Sequence, residues 1–376
     1  MRIVFSGGGT GGHVYPALAI GEQCLQDHPD SKFLYIGTSS GLERDIVARS
    51  GLDMPFEAVE ITGFRRKLAS LDNVKTVLRF LRGVGRAKSL LREFKPDAVV
   101  GTGGYVCGPV LYAAAKLGIP TLVHEQNAIA GLTNRFLSRY VSTVAVSFRG
   151  TEGIFPQAKK VVYTGNPRAT SMVNADAARG FSSLGLTPDA RLVVVVGGSR
   201  GAKAINEAMV ELAPLVHELP GVQFVFGTGQ PYFESTAQRI QEEAGSVPVN
   251  LQVLPYIHNM PEVLAASKLV VNRAGASTMA EITALGIPSI LIPSPNVTNN
   301  HQEHNARSLS DEGGSVTLLE KDLSGRVLFD QIGKIMEDSV RWEHMAKQSA
   351  KMGQRDSAAL VVRELERIVS AGQRRR

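Results

Sequence analysis

Apolar positions along this chain fall into short continuous runs, separated by stretches in which they recur at helical spacing. Strands buried on both faces, alternating with amphipathic helices, produce that pattern. Arg2 to Ser6, Phe33 to Ile36, Ala98 to Val100 and Thr121 to Val123 read as strands of one parallel sheet, with a helical pattern from Pro16 to Leu25 after the first. Around Thr164 to Pro167 the pattern resets. Leu192 to Val196, Phe224 to Phe226, Leu251 to Leu254, Leu269 to Val271 and Ser289 to Ile292 form a second set of strands. In that set Ser277 is placed to cap a helix that Gly286 and Pro288 stop, and His301 to Ser310 starts another. The expected fold class is α/β, with two doubly wound Rossmann-like domains separated by a cleft. Residues 1–163 form the first domain and 164–349 the second, and a terminal helix of about 350–376 packs back on the first.

Each set opens with a strand followed by a glycine loop and a helix. Gly7 to Gly12, ending at His13, is one loop; Gly197 to Ala202 is its counterpart, and Gly101 to Gly108 is a third glycine-rich turn. Helix N-termini reached through such loops present free amides and a partial positive charge, worth about 0.3–1 kcal/mol to a nearby anion. Gly7 to Gly12 also fits the G-x-G-x-x-G fingerprint. A dinucleotide enzyme, however, places an acid at the end of the second strand, and here that strand runs into Gly37 and Thr38, which disfavours NAD. No lysine stands in the G-x-x-x-x-G-K-[ST] form of a Walker motif, and no Asp-x-Asp pair is present to hold a metal against a diphosphate. Phosphate charge must then be met by helix ends and by the cations of the protein.

Composition narrows the class further. The chain has 376 residues, 43% of them hydrophobic and 20% charged, enough to build two cores. Cys24 and Cys107 are its only cysteines, which fits a reducing compartment. The N-terminus carries no secretory apolar segment, and no run reaches membrane-spanning length. The net charge of +6 is unevenly spread: Gly63 to Lys95 holds ten Lys or Arg against Asp72 and Glu93. In that stretch Val74, Val77, Leu78 and Leu81 share one helical stripe and Lys75, Arg79, Arg82 and Arg86 another, preceded by Ile61, Phe64 and Arg65 to Lys67. An anionic membrane surface is the expected partner; with few aromatic platforms, nucleic acid is not.

Several residues are placed to do chemistry. His13, at a helix start that favours the neutral imidazole, suits a general base, and Glu125 after a buried strand is its rival. Ser199 with Arg168 or Arg273 suits a diphosphate. Glu281, four residues after Ser277, is within one helical turn of that site and suits the two hydroxyls of a ribose. If all the loops lie at the carboxyl edge of an open sheet, His13, Tyr105, Glu125 and Asn127 converge although distant in sequence.

Six motifs, taken in order, resemble one family. Gly8 to His13, Gly103 to Pro109, His124 to Asn127, Thr164 to Pro167, Gly197 to Ala202 and Arg273 to Glu281 look like those of the bacterial peptidoglycan transferases that convert lipid I to lipid II. The resemblance implies a GT-B fold and inverting, metal-independent and cofactor-free transfer. N-acetylglucosamine would pass from UDP-N-acetylglucosamine to the C4 hydroxyl of the muramoyl sugar on undecaprenyl diphosphate. It implies donor contacts for Thr10, Gly11, Gly12, Asn127, Arg168, Ser199, Ile257, Arg273, Glu281 and Gln302, with Ile257 at the uracil and Asn127 and Gln302 at the sugar. It implies acceptor contacts for Gly104, Tyr105 and His124, with His13 or Glu125 as base. Cys107 stands where serine is frequent in this family, and His301 where many members have a second glutamine before Gln302. The expected location is the cytoplasmic face of the cell membrane, as a peripheral protein, with other cell-wall synthesis proteins as candidate partners. Three alternatives stay open from the residues alone: a UDP-sugar 2-epimerase of related architecture, a nucleotide-dependent dehydrogenase, and a membrane-associated sensor that binds the donor without turning it over.

Overall fold

The structure is a computed structural model and describes residues 1–61, 71–198 and 200–374, the side chains of residues 71–75 excepted. Phe64, Arg65 to Lys67 and Ser199 lie outside the described residues. The chain divides into two compact units, Met1–Thr170 with Asp356–Arg376, and Ser171–Arg355.

The N-terminal unit holds seven parallel strands: β1 (Arg2–Gly7), β2 (Lys32–Gly37), β3 (Phe56–Ala58), β4 (Ala98–Gly103), β5 (Thr121–Glu125), β6 (Thr143–Val146) and β7 (Val161–Tyr163). Their order across the sheet is β3-β2-β1-β4-β5-β6-β7. One face is covered by the helices Leu71–Phe94 and Cys107–Lys116, in a core that includes Val99, Val110, Leu111 and Val123. On the other face the helix Gly11–Asp27 and the terminal helix Ser357–Gln373 share a core with Ile3, Phe5, Val100 and Leu122, to which the terminal helix adds Val361, Val362, Leu365 and Ile368. Glu364 ties that helix to the sheet: its carboxylate accepts from Thr143 Oγ1 at 2.7 Å, Lys160 Nζ at 2.9 Å and the Arg367 guanidinium at 2.6 Å.

Two boundaries differ from the sequence reading. The first unit runs on to Thr170, because Thr164 N and Gly165 N donate to Val146 O and His124 Nε2 to Gly165 O. At the other end the helix Ser339–Met352 belongs to the second unit, where Ser349 Oγ donates to Ile287 O at 2.9 Å. The helix after β1 also starts earlier than Pro16. Gly11 opens it behind the extended Thr10, whose carbonyl accepts from His13 N, and Pro16 lies inside it, so Gly11, Gly12 and His13 form its first turn.

In the C-terminal unit six parallel strands follow: β8 (Arg191–Val196), β9 (Val222–Gly227), β10 (Leu251–Leu254), β11 (Ser267–Asn272), β12 (Ser289–Leu291) and β13 (Ser315–Thr317), in the order β10-β9-β8-β11-β12-β13. Both sheets reverse their winding once, between β1 and β4 and between β8 and β11. In open parallel sheets the crevice at that reversal, beyond the carboxyl ends of the two strands, is where ligands bind.

Candidate active site

In the N-terminal unit the reversal brings the first glycine loop against the one after β4. Gly8 N donates to Gly103 O at 3.3 Å. Gly104, at φ +83°, packs so closely that a Cβ there would lie 2.3 Å from Gly8 O, so no side chain fits. Cys107 joins the loops from below: its buried Sγ accepts from Gly103 N at 3.2 Å and lies 2.8 Å from Ser6 O. Burial pushes the thiol up to about 12, so it stays protonated and does the work of a hydroxyl. The cysteine thus holds the two loops together from inside the fold.

His13 stands in the first turn of the helix with Nδ1 2.9 Å from Gly8 O and 3.3 Å from Thr10 Oγ1. A carbonyl can only accept, so Nδ1 carries the proton in the neutral ring and the lone pair is on Nε2. Nε2 lies beside Gly103, where a Cβ would approach it to 3.0 Å. Tyr105, 39% exposed, flanks Gly9. Missing from the sequence reading is Glu43, a fully buried carboxylate that accepts from Thr38 N at 2.9 Å and from Gly9 N at 3.4 Å, bracing the first loop from behind. Only a lone acid after Gly41 and Leu42 marks it in the sequence.

Both residues of the His124–Glu125 pair are hydrogen-bonded within the protein. Glu125 is 1% exposed and its carboxylate receives Asn127 N, Asn127 Nδ2, Gly131 N and Asn134 Nδ2, all within 3.3 Å. It shapes the loop after β5 and holds Asn127 on it. His124 is fully buried, Nε2 against Gly165 O and Nδ1 against Gln126 Nε2. Arg168 stacks 5.2 Å over the Tyr15 ring and shares a cavity of about 280 Å³ with Glu22, Asp45 and Arg49 on the flank of the helix Gly11–Asp27. Burial raises the Glu22 carboxyl against the pull of Arg168.

In the C-terminal unit the reversal pairs the loop after β8, leading to the helix Lys203–Leu212, with the turn after β11. The helix Ala276–Leu285 begins behind an extended Gly275, so Ser277 is its second residue and does not cap it. Glu281, 8% exposed, lies one turn further along. The Arg273 guanidinium pairs with Glu320 at 2.5 Å and donates to Ile292 O at 3.2 Å, bracing the loop after β12. Gln302 Oε1 accepts from Ser294 N at 2.9 Å, and the preceding Asn299 and Asn300 are both left-handed, at φ 55° and 50°. Asn is one of the few residues that tolerates that conformation, and two in succession fold the 294–300 loop back onto the helix His301–Ser310. Ile257, 4% exposed, packs near Gly227 at the end of β9.

Two Rossmann-like units, each with a glycine loop and a helix N-terminus at its switch point, make up a GT-B fold. Residues 3–146 match the N-terminal domain model of glycosyltransferase family 28 and residues 192–361 its C-terminal domain model. The "UDP-N-acetylglucosamine--N-acetylmuramyl-(pentapeptide) pyrophosphoryl-undecaprenol N-acetylglucosamine transferase" of Halalkalibacterium halodurans is 54% identical over 93% of this chain and 94% of its own. The protein of the same name from Bacillus subtilis is 49% identical over 98% and 99%. The chain belongs to this transferase family. Among solved structures, MurG of Acinetobacter baumannii superimposes with a TM-score of 0.77 at 30% identity, covering 97% of this chain and 99% of that one. A UDP-GlcNAc 2-epimerase from Neisseria meningitidis reaches 0.71 at 14% identity over 98% and 100%, a likeness of fold alone.

Proposed function

We propose that this enzyme moves N-acetylglucosamine from UDP-N-acetylglucosamine to the C4 hydroxyl of lipid I, with inversion and without a metal. In this reading the N-terminal unit receives the acceptor and the C-terminal unit the donor. The observation that carries the mechanism is the His13 tautomer. With Nδ1–H given to Gly8 O, Nε2 is the acceptor of a proton, and it faces the glycine loops through which the acceptor diphosphate would be held. His13 takes the C4 proton as that oxygen attacks the anomeric carbon and UDP leaves from the opposite side. Glu125, its carboxylate filled by four donors, is the weaker base.

Donor binding rests on the amides at the start of the helix Ala276–Leu285 and the glycine loop before Lys203, on Glu281 for the ribose, and on Ile257, Asn127 and Gln302. Ser199 keeps its diphosphate role as a reading of the sequence. The acceptor lipid stays in a bilayer, so the enzyme must meet it there. The helix Leu71–Phe94 supports this. Its buried side is Val84, Ala87, Leu90 and Leu91, whereas Val77, Leu78 and Leu81 are 47–58% exposed beside Arg79 and Arg82. Docking by this face at the cytoplasmic side of the membrane matches apolar insertion with attraction to anionic lipid. Among the described residues no helix is long and apolar enough to cross a membrane.

The direct experiment supplies labelled UDP-N-acetylglucosamine and a lipid I analogue in the presence of a chelator. Label should appear in a disaccharide lipid, and UDP should be released only when the acceptor is present. UDP release without acceptor, or activity abolished by chelation, would refute the mechanism.

A further inference from the structure

Leu132 is a large aliphatic side chain that the fold leaves 73% exposed, directly after the loop that Glu125 shapes. It is the first residue of the helix Leu132–Leu137. Residues four apart share a helical face, so Leu132 stands one turn before Phe136. The Phe136 ring meets Phe80 of the helix Leu71–Phe94 edge-on, with centroids 6.1 Å apart. Val77, three residues before Phe80, is likewise one turn nearer its helix start, and with Leu78 and Leu81 it is exposed among the described residues. On the other flank of that helix Arg86 reaches Glu57 of β3 at 3.0 Å, so the apolar flank is the one turned away from β3. Each of the two helices leaves the carboxyl end of one strand and returns to the start of the next. Both helix starts therefore lie at the carboxyl edge of the sheet, with the glycine loops. Between them is the first turn of the helix Cys107–Lys116, where a Cβ on Gly108 would be 3.3 Å from Phe80 Cε2 and 3.8 Å from Thr133 Cγ2. The result is a short apolar trough, with Val77 and Leu81 on one side, Leu132 on the other, and Phe80 and Phe136 as its floor. From Gly108 the chain runs back four residues, no more than about 14 Å, to Gly104, which packs on Gly8.

We propose that this trough holds the first isoprene units of the acceptor's polyprenyl chain and that Leu132 is a specificity-determining residue for that chain. The inference rests on the reading that the acceptor is a polyprenyl diphosphate received by the N-terminal unit. The chain is bonded to the diphosphate, so its first units leave the glycine loops over the surface that adjoins them. At Gly108 that surface is aliphatic and aromatic, and a hydrocarbon placed on it is stabilised by the area removed from water. The outer end of the trough continues into Leu78, on the face proposed to dock on the bilayer, so the chain stays covered between lipid and site. Four exposed aliphatic side chains are too few for a protein partner, whose footprint is about 800 Å² a side.

Turnover of the full-length enzyme is measured without vesicles or detergent, with lipid I analogues carrying a C5 or a C15 prenyl chain, each below the concentration at which it forms micelles. For the unaltered enzyme the acceptor KM should fall by about tenfold or more from C5 to C15. Leu132→Ser should raise the C15 KM about tenfold and leave the C5 KM within about twofold, with the donor KM and the melting temperature unchanged. Leu132→Met, which restores an apolar side chain of similar volume, should recover most of the loss. A KM independent of chain length in the unaltered enzyme would overturn the proposal. So would an equal rise for both acceptors in Leu132→Ser, which would make Leu132 a support for the loop after β5. Weaker co-sedimentation of Leu132→Ser with phosphatidylglycerol vesicles, with its chain-length dependence intact, would assign the side chain to bilayer lipid and overturn the proposal as well. No transfer to either analogue by the unaltered enzyme would remove the functional reading itself, whereas the other adverse outcomes remove the trough alone.

Discussion

His13 shows how a local sequence becomes a chemical group. A histidine after a run of glycines is an unremarkable helix start until the loop carbonyl of Gly8 accepts a hydrogen bond from Nδ1 and so fixes the tautomer on which the proposed base role depends. His13→Ala should lower turnover by about 10²–10⁴, the usual worth of a general base, while UDP binding measured by calorimetry stays unchanged. Wild-type turnover in that variant would exclude it as the base. Glu281 is tested at the other substrate. Its carboxylate accepting from ribose hydroxyls is worth about 1.5–3 kcal/mol, so Glu281→Ala should raise the donor KM by about ten- to a hundredfold and leave the acceptor KM in place. A normal donor KM would remove the ribose role. His13 and Glu281 could be singled out as candidates because residue type and spacing from a loop already suggest chemistry. Glu125 and Arg273 were equally visible as charges, but their partners, four donors in one case and Glu320 in the other, are set only by the fold.

At the scale of elements, hydrophobic spacing located the long strands well, because a strand buried on both faces must be apolar throughout. Phe56–Ala58, Thr143–Val146, Val161–Tyr163 and Ser315–Thr317 escaped it. They are three or four residues long, and it is pairing with a neighbour already in place that makes them strands. The helix Leu71–Phe94 carries two apolar stripes, and spacing alone cannot say which faces the core. Packing buries Val84, Ala87, Leu90 and Leu91 and leaves Val77, Leu78 and Leu81 in contact with solvent. Replacing Leu78 and Leu81 together by serine should therefore leave the melting temperature almost unaltered. Co-sedimentation with phosphatidylglycerol vesicles should fall about tenfold or more, since a buried leucine is worth about 1.5–3 kcal/mol. Binding that survives the double substitution would move the docking face elsewhere.

Across the whole molecule, the chain returns at its end to the unit where it began, and Glu364 fastens it there. Burial raises its carboxyl, but the bonds from Arg367, Thr143 and Lys160 outweigh that and bring it to about 2, below the ordinary 4.5. A carboxyl held below its unfolded value stabilises the fold fully above about pH 4.5 and loses that contribution as pH falls toward 2. The melting temperature of Glu364→Gln should thus lie below that of the unaltered protein at pH 6, and the gap should close as the pH is lowered through that window. A gap independent of pH would show that the carboxylate charge contributes nothing. The sequence by itself determined the alternation of strand and helix, the duplicated glycine loops and the residue types able to meet a sugar nucleotide, because these follow from local spacing and side-chain chemistry. Tertiary structure alone decided strand order, the placing of the switch points and which charges are neutralised by neighbours. Each of these depends on groups far apart in the chain, whose contacts exist only once the sheets have formed.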